Sequence, residues 1–260
     1  MARKPPVVLI IAGNDPSGGA GICADTQTVS RLGCHPAPVL SSLTVQDTRN
    51  AYAVRALDPD FVVAQARTVL EDMPVRAIKL GLLGSAAVAR AVGELLASRP
   101  EIPTVIDPVL VAAGGAALAE EEVTSVYLTD LLPRATIATP NALESRRLAP
   151  EAPTAGARAT RLLALGCRYV LLKGADEDTP DVVNTLYSHD GQVIVHRWER
   201  LEGHYHGSGC TLASAIAARL AHGDAPVAAV AAAQAYTWNA LRNGWKLGRG
   251  QRIPNRHCPH

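Results

Sequence analysis

The amino-acid sequence predicts an α/β fold in which helix layers cover both faces of a mostly parallel central sheet. Short apolar and β-branched runs alternate along the chain with segments of helical periodicity, and several runs are continuously apolar, as in strands buried on both faces. Repeated strand-then-helix order builds βαβ units, whose ligand sites lie at the carboxyl ends of the strands. The length of 260 residues, 48% of them hydrophobic, predicts one domain over 1–260.

The elements follow in order along the chain. Helical spacing of apolar residues, such as Val88, Val92 and Leu95 on one face, predicts helices at 22–32, 59–73, 85–98, 208–222 and 225–243. The last two strands form a hairpin, because His189-Asp190-Gly191 between them is a turn signal. The strands are predicted at 6–12, 38–45, 76–80, 102–106, 135–138, 169–173, 182–187 and 192–197.

Composition limits the classes of function. Lys+Arg 25 against Asp+Glu 24 gives a formal net charge of +1, which argues against a protein that coats nucleic acid. Aromatic residues form only 4% of the chain, so binding of single strands by stacked rings is disfavoured. The apolar stretches are too short to span a membrane, and the five cysteines lack the spacing of a zinc or redox motif. We therefore expect a cytoplasmic protein that binds neither nucleic acid nor a membrane.

A first glycine-rich loop, Ala12-Gly13-Asn14-Asp15-Pro16-Ser17-Gly18-Gly19-Ala20-Gly21, joins the first predicted strand to the first helix. Glycines let a ligand approach the main chain closely, and the start of a helix offers free N–H groups. The loop matches neither the Walker A pattern nor the dinucleotide fingerprint. It therefore predicts a small-molecule site of another kind.

A second glycine-rich loop, His206-Gly207-Ser208-Gly209-Cys210-Thr211, begins a predicted helix. Its N–H donors and the positive end of the helix dipole suit negative charge on a phosphoryl group, and the same position is expected to lower the pKa of Cys210. The alternative is a glycine-rich cap beside a buried cysteine. His204 and His206 lack a second pair of metal ligands, so we interpret them as loop histidines.

Polar residues also follow three predicted strands: Asp107 after 102–106, Asn141 and Glu144 after 135–138, and Lys173 at the end of 169–173. Carboxylate and amide oxygens suit a hydrated magnesium ion, and a lysine provides a point charge for phosphate.

The three tryptophans are interpreted as packing residues, because each lies in or beside an apolar segment. They are Trp198, Trp238 and Trp245.

Seven motifs in order resemble the ribokinase-like superfamily and, within it, the hydroxymethylpyrimidine/phosphomethylpyrimidine kinases of thiamine biosynthesis. This resemblance implies a ribokinase-like three-layer α/β/α sandwich with a mostly parallel central sheet. A cysteine at position 210, where most of the superfamily has aspartate, is similar to the pyrimidine-kinase branch. The motifs are 11–21, Leu43-Thr44-Val45-Gln46-Asp47-Thr48, Lys79-Leu80-Gly81-Leu82, Asp107-Pro108-Val109, Thr139-Pro140-Asn141, Lys173-Gly174 and 206–212.

The resemblance implies transfer of the γ-phosphoryl group from ATP, with Mg²⁺, to 4-amino-5-hydroxymethyl-2-methylpyrimidine and then to its monophosphate. It also implies a homodimer. The implied site residues are Cys210 as the catalytic residue, Gly207, Ser208 and Gly209 as the anion hole, Gln46, Gly13 and Asp25 for substrate, Asn141 and Lys173 for nucleotide, and Asp107 and Glu144 for metal. The Gln46 amide supplies both a donor and an acceptor, which suits a ring nitrogen beside an exocyclic amine.

Departures from the family pattern leave alternatives open. Ala112-Ala113-Gly114-Gly115 replaces a polar stretch of the family pattern, so the sequence leaves open whether the second phosphorylation is efficient. A cysteine-type pyridoxal or pyridoxine kinase would use the same phosphoryl machinery, and a regulatory module would keep the pocket without catalysis.

The charge is unevenly distributed along the chain. No acidic residue follows Asp224, whereas five cationic residues do. We expect this basic tail to be solvated, with the alternative that part of it lies near the nucleotide phosphates or a subunit interface. The five are Arg242, Lys246, Arg249, Arg252 and Arg256.

Overall fold

A computed structural model describes residues 4–110 and 121–258, and it confirms the predicted α/β fold. In these residues one sheet has the strand order β3-β2-β1-β4-β5-β6-β7-β8-β9. The strands are β1 (Val7–Asn14), β2 (His35–Gln46), β3 (Ala51–Ala56), β4 (Val75–Leu80), β5 (Thr104–Ile106), β6 (Ile137–Ala138), β7 (Tyr169–Leu172), β8 (Asp181–Ser188) and β9 (Val193–Glu199). From β2 through β7 in this spatial order the pairing is parallel, while β3, β8 and β9 are antiparallel.

Helices cover both faces of the sheet. α1 (Gly21–Arg31), α7 (Ser208–His222) and α8 (Pro226–Arg242) pack on one face. The other face is covered by α2 (Pro59–Asp72), α3 (Ala86–Ala97), α4 (Glu121–Val126), α5 (Ala142–Leu148) and α6 (Ala155–Leu163). Short π- and 3₁₀-helical turns, Tyr127–Leu131 and Leu132–Arg134, follow α4. The predicted three layers are therefore present.

Strand β1 explains why continuous apolar runs predicted buried strands. Successive side chains of a strand point to opposite faces. Those of Val7, Leu9 and Ile11 enter the core beneath α2 and α3, whereas those of Val8, Ile10 and Ala12 enter the core beneath α1 and α7. Because both faces are covered, the run can contain no polar residue.

The element predictions differ from the structure mainly where burial is incomplete. The predicted hairpin is present, closed by the Ser188 N–H donating to the Gln192 carbonyl at 2.9 Å. Strand β3 was not predicted, because it lies at the sheet edge and only one of its six residues is buried, so no apolar run marks it. Helices α4, α5 and α6 were not predicted either. Within the described residues, none of the helices has the length and apolar content that a membrane span requires.

The expectation of a solvated basic tail is wrong for Arg256, which is only 1% exposed. Its guanidinium donates to the carbonyl of Gly19, to the Thr211 hydroxyl (3.0 Å) and to the Gln27 side chain (3.2 Å). Its own carbonyl accepts from the hydroxyl of Tyr236 at 2.8 Å. These hydrogen bonds offset the burial of the charge. At Arg256 the tail therefore packs against α1, α7 and the first glycine-rich loop. The other four cationic residues are exposed, as expected: Arg242, Lys246, Arg249 and Arg252.

Candidate active site

A cavity of about 1140 Å³ opens at the carboxyl ends of the parallel strands. This is where ligands bind in open α/β sheets. The predicted site residues Gly13, Gln46, Asp107, Asn141, Glu144, Lys173, Gly207, Ser208, Gly209 and Cys210 line it, and Asp25 does not. The stretch Ala112-Ala113-Gly114-Gly115 lies outside the described residues.

Asp15 organises the first glycine-rich loop. Its carboxylate accepts hydrogen bonds from the N–H groups of Ser17 (2.8 Å) and Ala20 (2.7 Å) and from the Ser17 hydroxyl (2.9 Å). Burial raises the pKa of Asp15, but hydrogen bonds from His206 and Ser17 outweigh it and hold the pKa below its usual value. Asp15 is therefore a fixed negative charge beside the cavity.

The second glycine-rich loop begins α7 next to the polar strand ends. Gly207 precedes the helix with a positive φ of +78°. A Cβ added at Gly209 would lie 3.0 Å from Nζ of Lys173 and 3.4 Å from Oδ2 of Asp107, so the helix start lies directly on this pair. The first N–H groups of a helix have no acceptor within it and favour anions. The geometry suits the anion hole expected at 207–209.

Cys210 lies in the first turn of α7, partly exposed to the cavity. The prediction that the helix start lowers its pKa is wrong. Burial raises the pKa of this thiol to about 11, and the carboxylates of Asp25 and Asp107 add to the rise against the opposing charge of Lys79. At neutral pH the resting site therefore holds Cys210 mainly as a thiol.

Asp107, at the end of β5, forms a buried pair with Lys173. Its Oδ1 accepts from Lys173 Nζ at 2.8 Å and from the Thr139 hydroxyl at 2.9 Å. Burial raises the pKa of Asp107, but the charges of Lys173 and Lys79 lower it by more. The pKa of Asp107 therefore lies below its usual value. Burial lowers the pKa of Lys173, but the negative charges of Asp107 and Glu144 outweigh the effect of burial. The pKa of Lys173 therefore lies above its usual value. Both groups are charged.

Asn141 and Glu144 form a capping box at the start of α5. The Asn141 side chain accepts from the Glu144 N–H at 2.7 Å, and Oε2 of Glu144 accepts from the Asn141 N–H at 2.8 Å. Oε2 is also 4.0 Å from Nζ of Lys173. Burial raises the pKa of Glu144 to about 8 despite Lys173. Much of the hydrogen-bonding capacity of both side chains thus serves the helix.

The donor set fits a sparsely bound magnesium ion. Among the described residues no cluster of three or more His, Cys, Asp or Glu side chains has the geometry of a metal site. Magnesium usually takes one or two protein carboxylates and completes its shell with waters and phosphates. Thr139 and Lys173 both donate to Oδ1 of Asp107, and Oδ2 accepts no hydrogen bond from the described residues. Asp107 is therefore the carboxylate best suited to such an ion.

Asp25 lies beneath the cavity instead of lining it. It is fully buried, with Oδ2 accepting from Lys79 Nζ at 2.7 Å and Oδ1 accepting from the Ser214 hydroxyl at 2.7 Å. Lys79, which does line the cavity, was not assigned a role from the sequence. Burial lowers the pKa of Lys79, but the nearby negative groups, Asp25 foremost, together outweigh it and raise the pKa, so the lysine stays protonated. The expectation for Asp25 differs from the structure because the position of a residue in the sequence does not reveal how deeply its side chain is buried.

The sequence of this chain is similar to those of known kinases. A family described as phosphomethylpyrimidine kinase matches residues 15–255. The chain belongs to this family. A hydroxymethylpyrimidine/phosphomethylpyrimidine kinase of Streptomyces coelicolor is 40% identical over 251 residues, covering 95% of this chain and 92% of the relative. The thiamine biosynthesis bifunctional protein ThiED of Geobacter sulfurreducens is 41% identical over 250 residues, and there the match spans 94% of this chain but half of the relative.

Solved structures of vitamin kinases share the fold of this phosphomethylpyrimidine kinase family member. Pyridoxal kinase from Staphylococcus aureus, in complex with AMP-PCP and pyridoxal, matches with a TM-score of 0.89 at 29% identity, covering 98% of this chain and 94% of that one. Phosphomethylpyrimidine kinase from Clostridium difficile matches with a TM-score of 0.77 at 31% identity, covering 90% and 98%. The predicted fold and the predicted enzyme class, a phosphotransferase, are confirmed.

The structure also describes the two loop histidines and the three tryptophans of this family member. Both histidines lie outside helices and strands, as expected, but His206 is 3% exposed, with Nε2 2.8 Å from Oδ2 of Asp15, whereas His204 is exposed. Trp198 and Trp238 do pack together, with ring centroids 6.2 Å apart, yet both line the cavity. Trp245 is 45% exposed and lines no core. The only feature of the sequence that could have indicated the burial of His206 is its position directly before the Gly-x-Gly start of a helix.

Proposed function

We propose that this protein transfers the γ-phosphoryl group of ATP to the hydroxymethyl oxygen of 4-amino-5-hydroxymethyl-2-methylpyrimidine, and then phosphorylates the monophosphate to the diphosphate. The supporting observation is one cavity that Gln46, the start of α7 and the Asp107–Lys173 pair all reach. The Gln46 amide offers a donor and an acceptor to an aminopyrimidine edge. The helix start and Lys173 suit the phosphates. The named activities of the relatives support the choice of substrate.

The groups divide the reaction between them. The hydroxymethyl oxygen attacks the γ-phosphorus, its proton goes to the thiolate form of Cys210, and the bond from the γ-phosphorus to the bridging oxygen breaks as ADP leaves. The N–H groups at 207–210 and the Lys173 ammonium stabilise charge on the phosphoryl oxygens. Because burial and two carboxylates raise the pKa of Cys210, only a small fraction of the resting protein carries the thiolate at neutral pH.

Mg²⁺, when bound, offsets the negative charge of the β- and γ-phosphates. Asp107 would hold it, with Glu144 as the second nearby carboxylate. Lys173 keeps Asp107 ionised and ready to bind a cation, since the pKa of Asp107 lies below its usual value.

A second candidate is phosphorylation of pyridoxal. The observation that favours it is the higher TM-score with pyridoxal kinase, 0.89, than with phosphomethylpyrimidine kinase from Clostridium difficile, 0.77. Identity points the other way, since it is 29% with the former and 31% with the latter. We favour the pyrimidine because Gln46 matches its donor and acceptor edge.

Product analysis by mass spectrometry tests the proposal. The purified chain, ATP and Mg²⁺ are incubated with the aminopyrimidine alcohol or with pyridoxal, and Cys210→Ala is run in parallel. We expect pyrimidine monophosphate and then diphosphate, with at least a 100-fold slower reaction in the variant. Faster turnover of pyridoxal would replace the pyrimidine assignment, and an unchanged Cys210→Ala rate would show that Cys210 is not the base. Monophosphate without diphosphate would limit the activity to the first step.

We also propose that the protein is a cytoplasmic homodimer. Support comes from three exposed apolar side chains on the β2–β3 edge of the sheet: Leu43 (42%), Val45 (62%) and Tyr52 (58%). Apolar patches of this kind often mark protein interfaces. Light scattering after size exclusion should give twice the mass of 27.3 kDa, and Val45→Asp should reduce it to the monomer mass. A monomer in the unmodified protein would contradict the proposal.

A further inference from the structure

His206 links the two glycine-rich loops to Gln46. Its ring lies against Gly19, where an added Cβ would collide with Cδ2 of the imidazole. Nε2 of the ring is 2.8 Å from Oδ2 of Asp15 and also 2.8 Å from the end of the Gln46 amide, which is placed with its nitrogen, Nε2, toward the ring. One nitrogen atom therefore contacts both a carboxylate and the side chain proposed to read the substrate.

The carboxylate decides where the proton lies. Asp15 accepts three hydrogen bonds from Ser17 and Ala20, and its pKa lies below the usual value, so it is ionised and can only accept. An ionised carboxylate 2.8 Å from Nε2 requires a hydrogen on that nitrogen. Nε2 of His206 is therefore a donor.

The proton on Nε2 then decides the orientation of the Gln46 amide. A protonated ring nitrogen cannot accept from an NH₂ group, so the two ends of the Gln46 amide have to be exchanged, which turns the amide oxygen toward the ring. The hydrogen-bond network is what assigns the two ends of such an amide. Across residues 4–110 and 121–258, no other hydrogen bond holds this amide. Its NH₂ group is left to donate into the cavity that Gln46 lines.

We infer that His206 is a positioning residue that locks the Gln46 amide in one orientation, and thereby sets the order of donor and acceptor that the cavity presents to its substrate. The inference rests on the proposed function. The locked NH₂ group meets a ring nitrogen, and the second lone pair of the amide oxygen meets the exocyclic amine. A substrate with acceptors alone on that edge can use only the NH₂ group. Selectivity for an aminopyrimidine thus depends on a second side chain that acts through Gln46.

A double-mutant cycle on steady-state kinetics tests this coupling. We expect His206→Phe to raise the KM for the aminopyrimidine alcohol about 10-fold, with the KM for ATP unchanged within about twofold. His206→Gln, which places an N–H donor at a similar distance from the backbone, should recover most of the loss. In a Gln46→Ala background, His206→Phe should add less than about twofold. Equal effects in both backgrounds, or an equal rise in the KM for ATP, would overturn the inference.

Nitrogen NMR of the histidine rings provides a readout that does not depend on activity. We expect Nε2 of His206 to carry a proton in the free protein, and its resonance to be identified by its loss in His206→Gln. An unprotonated Nε2 would overturn the inference even in an active enzyme. If the unmodified protein does not phosphorylate the pyrimidine, the proposed function fails, while the NMR result still decides whether His206 donates to Asp15 and Gln46.

Discussion

Cys210 combines a position at the start of α7 with a thiol whose pKa burial raises to about 11. If its thiolate accepts the substrate proton, the rate follows the thiolate fraction, which increases nearly tenfold per pH unit below the pKa. We therefore expect kcat/KM for the pyrimidine alcohol to rise steeply between pH 7 and 9. A pH profile of initial rates measures this.

Two variants make the pH profile specific. Cys210→Asp introduces a group that is ionised across this range, so its profile should be flat. Cys23→Ala removes a cysteine outside the cavity and should keep the slope of the unmodified protein. A flat profile in the unmodified protein would exclude a proton-accepting role for Cys210.

The Lys79–Asp25 pair is fully buried, with Nζ of Lys79 2.7 Å from Oδ2 of Asp25. Removing one partner leaves an uncompensated buried charge, which costs about 3–5 kcal/mol. We expect Lys79→Met to lower the free energy of unfolding by that amount, measured by urea denaturation. The double variant Lys79→Met, Asp25→Leu should recover much of the loss.

The matched control is the exposed pair Arg90–Glu122, with side chains 51% and 60% exposed. Arg90→Met should change stability little, because exposed pairs contribute little. Equal losses for Lys79→Met and Arg90→Met would show that burial is not what makes the first pair matter.

At the scale of elements, α7 has a left-handed glycine at each end, Gly207 with φ +78° and Gly223 with φ +98°. A side chain at either position incurs about 1–2 kcal/mol of backbone strain. At Gly223 the added Cβ meets open space, whereas at Gly207 it would collide with the carbonyl of Gly19. The two ends therefore form a matched experiment on one helix.

We expect Gly223→Ala to lower stability by about 1–2 kcal/mol and to leave kcat nearly unchanged. Gly207→Ala should cost more stability and reduce kcat at least 100-fold, because it separates the two glycine-rich loops. Thermal unfolding and initial rates measure both effects. Comparable kcat values in the two variants would argue against a role of the loop contact in catalysis.

The elements also show how far the sequence predicts the structure. Strand β1 was predicted because both its faces are buried, and β3 was missed because it is an exposed edge. Helix α5 is instructive, since Asn141 and Glu144 have the spacing of a capping box, yet the polar side chains favoured a ligand interpretation. The strand-end positions of Asp107 and Lys173 could be predicted. The depth of Asp25, the pKa of Cys210 and the burial of His206 could not, because each depends on distant neighbours.

At the scale of the whole molecule, Arg256 joins segments far apart in the chain. It contacts the loop before α1, the side chain of Gln27 in α1, and Thr211 in α7. Arg256→Met should lower the Tm by about 5–10 °C, because several hydrogen bonds of a buried charge are lost together. Calorimetry measures the shift.

Arg249 is the control, because it belongs to the same basic segment and is exposed. Arg249→Met should move the Tm by about 2 °C at most. If both variants behave alike, the segment acts through its net charge and not through the buried contacts of Arg256.

The hydrogen bond from His206 to Asp15 joins positions separated by 191 residues. Contacts of such long range form slowly, because the entropy of closing a large loop is lost before the contact stabilises anything. We therefore expect the part of the site that this contact closes to be among the last regions to become ordered during folding. A partly folded chain can hold most of its sheet and helices and still have no place for substrate, so the recovery of activity is a stricter measure of complete folding than the recovery of secondary structure.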